Sequence, residues 1–472
     1  MKLTMRILFT GLLLNIISIN SFSQKITEWL TKGDSSVLFK KQNKELSFSP
    51  KVFKSPTIDV DDSKTYQTMD GFGFALTQGS AMPIIKMDAA KRKALLRELF
   101  DTAGSAIGVS YIRLTIGASD LNEKIFSYDD LPDGQTDPEL THFDLGPDHK
   151  DVIPVMKEIL AINPHIKIMG SPWSPPVWMK TNHDTRGGRL LPNYYDAYAN
   201  YLAKYILTMK NEGIRIDAIT IQNEPLHPGN NPSMLMTAPE QTTFIKNNLG
   251  PLFRKLNITT KIVLYDHNAD RPDYPIYILD DKEASKYVDG SAFHLYNGDV
   301  SALTDVHDAH PDKNIYFTEQ MTVQFGRDEN VKSPRINIAW PVSWLLIGTT
   351  RNWSKTVLEW NLAANSQFTP YTDRGGCDKC QGAVSIDGNK VTRNLGYYSL
   401  AHFSKFVVPG STHIASNEID SVSNVAFKTP LGKKVVIVSN TTEQSQRFNI
   451  RYKNKSVEYI LPAGSATTLY WN

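Results

Sequence analysis

An α/β fold, a (β/α)8 TIM barrel with an attached β-sandwich domain built from both chain ends, is the architecture the sequence predicts. Three observations carry the prediction. About eight short β-rich runs alternate with helix-length segments across residues 69–404, the pattern of a parallel barrel. Several of those runs end on a polar or charged residue. A doubly wound open sheet is the structural alternative, and it gives no reason for polar residues at so many strand ends. Beyond residue 405 the helical text stops, and short strands separated by turn residues take over. Residues 24–68 hold similar strand-like pieces, so a sandwich closed by the two ends of the chain accounts for both.

Taken in order, the chain begins with a processing signal. Lys2 and Arg6 precede an apolar run over 7–14, and the small residues Ser21 and Ser23 follow. Residues 1–23 are expected to be a secretory signal peptide cleaved near Ser23 or Gln24. The apolar run is short for a membrane span, and no cysteine lies there to take a lipid. The expectation is an exported protein (periplasmic, cell-surface or extracellular) with no integral membrane segment after signal removal. In 24–68, Thr57-Ile58-Asp59-Val60 is the clearest strand-like piece. Gly71-Phe72-Gly73-Phe74 is the first barrel strand, whose glycines suit close backbone packing, since no third glycine opens a phosphate-binding helix. Leu95, Leu96 and Leu99 predict a helix over 87–100, with Asp88 near its start.

Residues 111–116 are the second strand, 153–160 a helix, and 166–170 the third strand. A long amphipathic helix over 194–209 leads to the fourth strand, which starts at Ala218 and ends against Pro225. The remaining strands lie at 262–265, 292–294, 315–317 and 357–360. The sandwich strands fall at 425–427, 434–438, 447–450 and 468–471.

Composition excludes several function classes. The chain has 472 residues, 41% hydrophobic and 21% charged, as in ordinary soluble proteins. A formal charge of +2 without a long basic run gives no footing for nucleic acid or an anionic membrane surface. No protein partner is implied. The two cysteines, Cys377 and Cys380, flank two residues in a Gly-rich stretch. A redox motif and half a metal site are alternatives, but this pair cannot assemble four metal ligands. In an exported chain, a local disulfide tightening the loop is the expectation.

Chemistry enters at two strand tips. Ala218-Ile219-Thr220-Ile221-Gln222-Asn223-Glu224-Pro225 begins as an apolar alternation and stops at a carboxylate locked by proline. Asn314-Ile315-Tyr316-Phe317-Thr318-Glu319 repeats that design. Paired strand-end glutamates are what a retaining glycosidase uses, one as acid/base and one as nucleophile, about 5–5.5 Å apart. A lone strand-end glutamate says little; the pair says much more. No cofactor and no metal is needed for that chemistry.

Around the pair, Ser171-Pro172-Trp173-Ser174-Pro175-Pro176-Val177-Trp178-Met179-Lys180-Thr181-Asn182, Gln222-Asn223-Glu224-Pro225, Thr318-Glu319, Glu359-Trp360-Asn361-Leu362 and His402-Phe403-Ser404-Lys405-Phe406 together resemble glycoside hydrolase family 30. That family includes glucosylceramidases and endo-β-1,6-glucanases. The likeness spans nearly the whole mature chain and implies the barrel with its side sandwich. It implies Glu224 as acid/base, Glu319 as nucleophile and Asn223 on the sugar's 2-hydroxyl. Arg113 is implied beside the nucleophile, and Asp120 on glucose hydroxyls. Trp173, His294, Tyr296 and Trp360 are implied as pocket walls. Gln78 stands where the family's glucosylceramidases have Asp, and the loop 226–233 differs from their ceramide-handling loop.

Blander readings stand beside these. Arg113 and Asp120 could form a structural ion pair, and His294 could be a satisfied barrel histidine. Trp178 is assigned to packing, and Glu359 is left outside the catalytic set. Asp266 and His267 end the fifth strand with little to mark them, and His227 and Asn231 are candidates for leaving-group contacts. The expected function is retaining hydrolysis of β-glucosidic bonds, endo-acting on β-1,6-glucan, with a β-glucan or other β-glucoside as partner. Glucosylceramidase is the alternative; xylan is disfavoured because Asp120 and Trp173 keep the glucose-type pocket. A non-catalytic glycan-binding protein is the alternative of another class, although it gives no reason to keep both glutamates.

Overall fold

The computed structural model describes residues 24–323, 336–420 and 422–472. The expected signal segment, 1–23, lies outside them. Among the described residues, eight strands close a barrel: β1 (Gly71–Leu76), β2 (Tyr111–Ile116), β3 (Lys167–Pro172), β4 (Ala218–Thr220), β5 (Lys261–Ala269), β6 (Val288–Gly298), β7 (Asn314–Glu319) and β8 (Ser354–Glu359). Spatial order follows chain order, every neighbour is parallel, and β8 closes on β1 from Thr356↔Gly71 to Glu359↔Phe74.

Strand side chains alternate between the barrel interior and its helical coat. One interior layer is apolar: Tyr111, Met169, Ala218, Val263, Ala292, Tyr316 and Leu358 form a buried cluster. β1 brings Gly73 to that level, where an added Cβ would sit 1.6 Å from the Tyr111 carbonyl oxygen. Two residues further along the strands stand Ala75, Arg113, Ser171, Thr220, His294, Thr318 and Trp360. The packed floor therefore gives way within one layer to a polar one, at the carboxyl ends of the strands where barrel chemistry is sited.

The predicted helices are present with shifted ends. The first begins at Ala89 with Asp88 at its N-cap position, and the second spans Val152–Ile162, its Asp151 side chain capping the Val152 N–H. The third, Tyr195–Asn211, buries Tyr198, Tyr201, Leu202, Tyr205 and Met209, a stripe at helical spacing that packs on the barrel wall.

Both chain ends meet in one ten-stranded sheet. Lys25–Thr31 pairs antiparallel with Ala466–Trp471. Thr57–Thr68 pairs antiparallel with Thr412–Ser416 through its later residues and parallel with Gln446–Tyr452 through its first four, so it passes between the layers. Ile26, Leu30, Ile58, Ile414, Phe448, Leu469 and Trp471 share the core between them. His402, on the helix Leu395–Ser404, bridges barrel and sandwich: its ring nitrogens lie 2.9 Å from the hydroxyls of Thr31 and Thr468.

Candidate active site

A bulge in β5 builds the centre of the polar layer. Tyr265 (φ 74°) and Asp266 (φ 62°) both occupy the left-handed region, and the pairing to β6 shifts register there. Strict alternation from Val263 would turn Tyr265 inward. The extra residue instead sends Tyr265 outward against Tyr274 and Phe293 and brings Asp266 into the barrel. Asp266 is fully buried. Its Oδ2 accepts from Arg113 (2.8 Å), Thr220 (2.7 Å) and Ser171, and its Oδ1 accepts from Thr318 (2.6 Å) and faces His294 Nε2 at 3.1 Å. Burial opposes its charge, but Arg113 and His294 hold its carboxyl well below the usual range.

The same bulge positions Glu224. The β4 ladder stops at Thr220, four residues before the expected end. Beyond it, the Asn223 N–H donates to the Pro172 carbonyl of β3 (2.7 Å) and the Glu224 N–H donates to the Asp266 carbonyl (2.9 Å). Glu224 itself sits at φ 45°. This strain is concentrated where the side chain must be aimed. The Asn223 side-chain Oδ1 accepts from Arg113 at 2.7 Å, which turns its amide N–H2 away from the arginine.

Glu319, at the tip of β7, receives donors on both oxygens. Arg113 donates to Oε2 at 2.6 Å; Tyr296, whose hydroxyl accepts the Met321 N–H, donates to Oε1 at 3.1 Å. Glu224 Oε1 faces His294 Nδ1 at 3.1 Å, and among the described residues its Oε2 takes only a long contact from Asn230 at 3.4 Å. One oxygen of Glu224, one of Glu319 and a ring nitrogen of His294 lie within 4.8 Å of one another. His294 therefore joins Glu224 to Asp266. Burial works against its charge, but Glu319, Asp266 and Glu224 raise it to about 9.

Two cations thus face three carboxylates, and one proton shared between the glutamates balances the cluster. Burial leaves Glu319 raised despite His294 and Arg113, while His294 draws Glu224 below its ordinary value. Taken site by site, those directions put the proton on Glu319; the bonding puts it on Glu224. Both Glu319 oxygens are occupied by donors, and Arg113 bears on it at 2.6 Å. Glu224 has an oxygen without a short donor among the described residues, and its cation is divided with Asp266. The proton therefore rests on Glu224 and the charge on Glu319.

The other expected residues fall around this centre. Asp120 is buried, and burial, Glu319 and Glu224 push its carboxyl up to about 8. It makes no ion pair with Arg113, whose charge goes to Glu319 and Asp266. Trp173 lies under the Arg113 guanidinium at 4.9 Å and packs against Trp360 at 5.4 Å. Trp178 packs on Tyr194, as expected. Gln78 donates to Asp151 and accepts from Asn122 and the Glu123 N–H, so it ties down the loop that follows Asp120. Glu359 is buried against Ser399, raised to about 8 by burial.

Two expectations need correction. Asn231 is turned inward, bonded to Thr185 and Asp373, and its neighbour Asn230 faces Glu224 instead. Asp266, given little weight from sequence, is the hub of the site; its strand-end position beside His267 was the only available signal.

The rim is held by the loop 371–380. Thr372 N–H donates to the Asp120 carbonyl (2.9 Å), Asn231 reaches Asp373, and Arg374 pairs with Asp184. Cys377 and Cys380 form a disulfide, and Cys380 packs with Trp173 and Trp360.

Comparison with known proteins agrees with this geometry. Residues 69–407 match the glycosyl hydrolase family 30 TIM-barrel domain, and 410–469 match the family 30 β-sandwich domain. An endo-1,6-β-D-glucanase of Neurospora crassa is 35% identical over 87% of this chain and 88% of its own. One from Aspergillus fumigatus is 34% identical over 82% and 81%. The solved structure of the endo-β-1,6-glucanase BT3312 superposes with a TM-score of 0.86, at 34% identity over 95% of this chain and 99% of that one. Barrel, sandwich and paired glutamates together make this chain a glycoside hydrolase of family 30.

Proposed function

We propose that this enzyme cuts β-1,6-linked glucan internally with retention of anomeric configuration, Glu319 acting as nucleophile and Glu224 as acid/base. The observation that carries the mechanism is the approach of the two carboxylates to within 4.8 Å. That fits a retaining pair, at about 5–5.5 Å, and leaves no room for the water an inverting pair needs at about 6.5–9.5 Å. The linkage rests on the likeness to endo-1,6-β-glucanases at 34–35% identity.

Glu319, ionised between Arg113 and Tyr296, attacks the anomeric carbon while Glu224 protonates the leaving oxygen. The glycosyl-enzyme then consumes the charge of Glu319, so Glu224 becomes more acidic and takes a proton from the incoming water. Asn223 offers its amide to the 2-hydroxyl, where hydrogen bonds tighten in the oxocarbenium-like transition state. Asp120, kept largely neutral at pH 7, is both a donor and an acceptor for sugar hydroxyls, with Trp173 and Trp360 as an apolar wall. Export follows from residues 1–23, and no helix among the described residues is long and apolar enough to cross a membrane.

Product analysis on pustulan-type β-1,6-glucan beside glucosylceramide tests the reading. Short β-1,6 oligomers from the glucan alone are expected. Glucose released only from the glycolipid would reverse it, and binding without cleavage would point to a glycan-binding protein.

A further inference from the structure

The loop from β2 to the helix Val152–Ile162 carries a second group of ionisable side chains, which the sugar chemistry does not use. Asp129, Asp137 and His142 each offer one ligand atom, and the three atoms lie within 4.8 Å of one another. Asp129 is only 1% exposed, yet neither of its carboxylate oxygens has a hydrogen-bond partner among the described residues. A buried carboxylate without donors is a costly arrangement unless something pairs with it. The indole N–H of Trp178, which also draws on this carboxylate, gives its hydrogen to the Asp129 main-chain oxygen at 3.0 Å. Lys204, on the adjoining helix, is committed to the Leu140 carbonyl at 2.6 Å. Asp137 repels Asp129, and His142 alone among the basic side chains pulls on it appreciably.

The other two members are held in place. Asp137 Oδ2 accepts from the Thr141 hydroxyl and the His142 N–H, both at 2.9 Å, and lies 2.9 Å from His142 Nδ1. Ligand atoms about 2.0–2.2 Å from one zinc ion stand roughly 3 Å apart, as these two do. Two carboxylates and an imidazole are a donor set of the zinc type, with water completing a tetrahedron. We propose that Asp129, Asp137 and His142 bind a zinc-type divalent cation that pins the loop bearing Asp120. Binding takes the imidazole as its Nε2–H tautomer, with the Nδ1 lone pair on the ion in place of the contact to Asp137. The ion would fasten together two loops of the pocket, because Trp178, bonded to Asp129, belongs to the loop after Trp173. Its role is positional; it lies apart from the reacting sugar.

The test uses the mature full-length chain, stripped with chelator and titrated calorimetrically with zinc chloride, with thermal melts in parallel. Asp129→Asn, His142→Ala and Glu319→Gln are compared, the last because Glu224, His294 and Glu319 form a separate triad that zinc could also visit. Wild type and Glu319→Gln should bind one zinc at micromolar or tighter Kd, with melting temperature rising with zinc concentration. Asp129→Asn and His142→Ala should bind at least about 100-fold more weakly and melt alike with or without zinc. Metal-free Asp129→Asn should melt no lower than metal-free wild type, since it removes an unpaired buried charge, so misfolding cannot explain its loss. The proposal is overturned by no stoichiometric zinc, by binding that survives in both loop variants, or by calcium binding that survives His142→Ala. None of these outcomes depends on which glucan is cut.

Discussion

Replacing Asp266 by Asn keeps the shape of the site and removes the charge at its centre. Five donors converge on this wholly buried carboxylate, and among the described residues Arg113 has only Asp266 and Glu319 as charged partners. Breaking a buried ion pair from one side costs about 3–5 kcal/mol. At about 2 °C per kcal/mol for a domain of this size, the melting temperature should fall by roughly 6–10 °C. The loss should depend on pH in a definite sense. His294 is held up at about 9, so the stability it contributes is complete below its ordinary value of 6.5 and is lost as pH rises through about 9. Without Asp266 much of that elevation goes, so the gap between wild type and variant should be widest at pH 6 and narrow by pH 9.5. Activity should fall about 100-fold in kcat/KM, because Arg113, which bears on Glu319, and His294, which faces Glu224, both lose the carboxylate that anchors them. Thermal melts at the two pH values and kinetics on an aryl β-glucoside read these effects. A melting temperature within 2 °C of wild type, with an unchanged pH profile, would refute the hub. As a gauge, Thr318→Val removes one hydrogen bond and should cost about 1 kcal/mol.

Further outcomes follow from the same geometry. Glu224→Ala should spare substrates with good leaving groups in the first step, since they need little protonation, and equal losses across leaving groups would argue against the acid. His402 is pushed down to about 3 by burial, so its share of stability is complete above 6.5 and is lost as pH falls toward 3. His402→Asn should therefore flatten the acid limb of a stability–pH curve by up to about 1.4 kcal/mol per pH unit; an unaltered slope would contradict this. Removing the disulfide with Cys377→Ser and Cys380→Ser opens a very small ring, worth about 2 kcal/mol at most by chain entropy. Its larger effect should be a raised KM, as the loop that holds the Asp120 carbonyl loosens; a fall in melting temperature with KM unchanged would show the bond to be structural only.

Strand-end glutamates were legible because β-rich runs ending at Glu224 and Glu319 state both their element and their direction. Arg113 lay one alternation above Tyr111, so it too could be placed. Asp266 could not, because a bulge adds one residue to a strand without marking the sequence, and alternation counted through it turns Tyr265 inward. The early stop of the β4 ladder is equally silent: Ile221 is as apolar as Ile219, and only the carbonyls of Pro172 and Asp266, from two other strands, decide where Asn223 and Glu224 hang. Asn230 and Asn231 differ for a similar reason. Asn231 is turned by Asp373, over 140 residues away, and no local pattern reports such a contact.

The residue that takes the sugar decides the mechanism most directly. Treatment with a 2-deoxy-2-fluoro-β-glucosyl fluoride, followed by peptide mass mapping, should show one glycosyl adduct per chain, on Glu319. An adduct on another residue, or turnover with inverted anomeric configuration and no adduct, would contradict it.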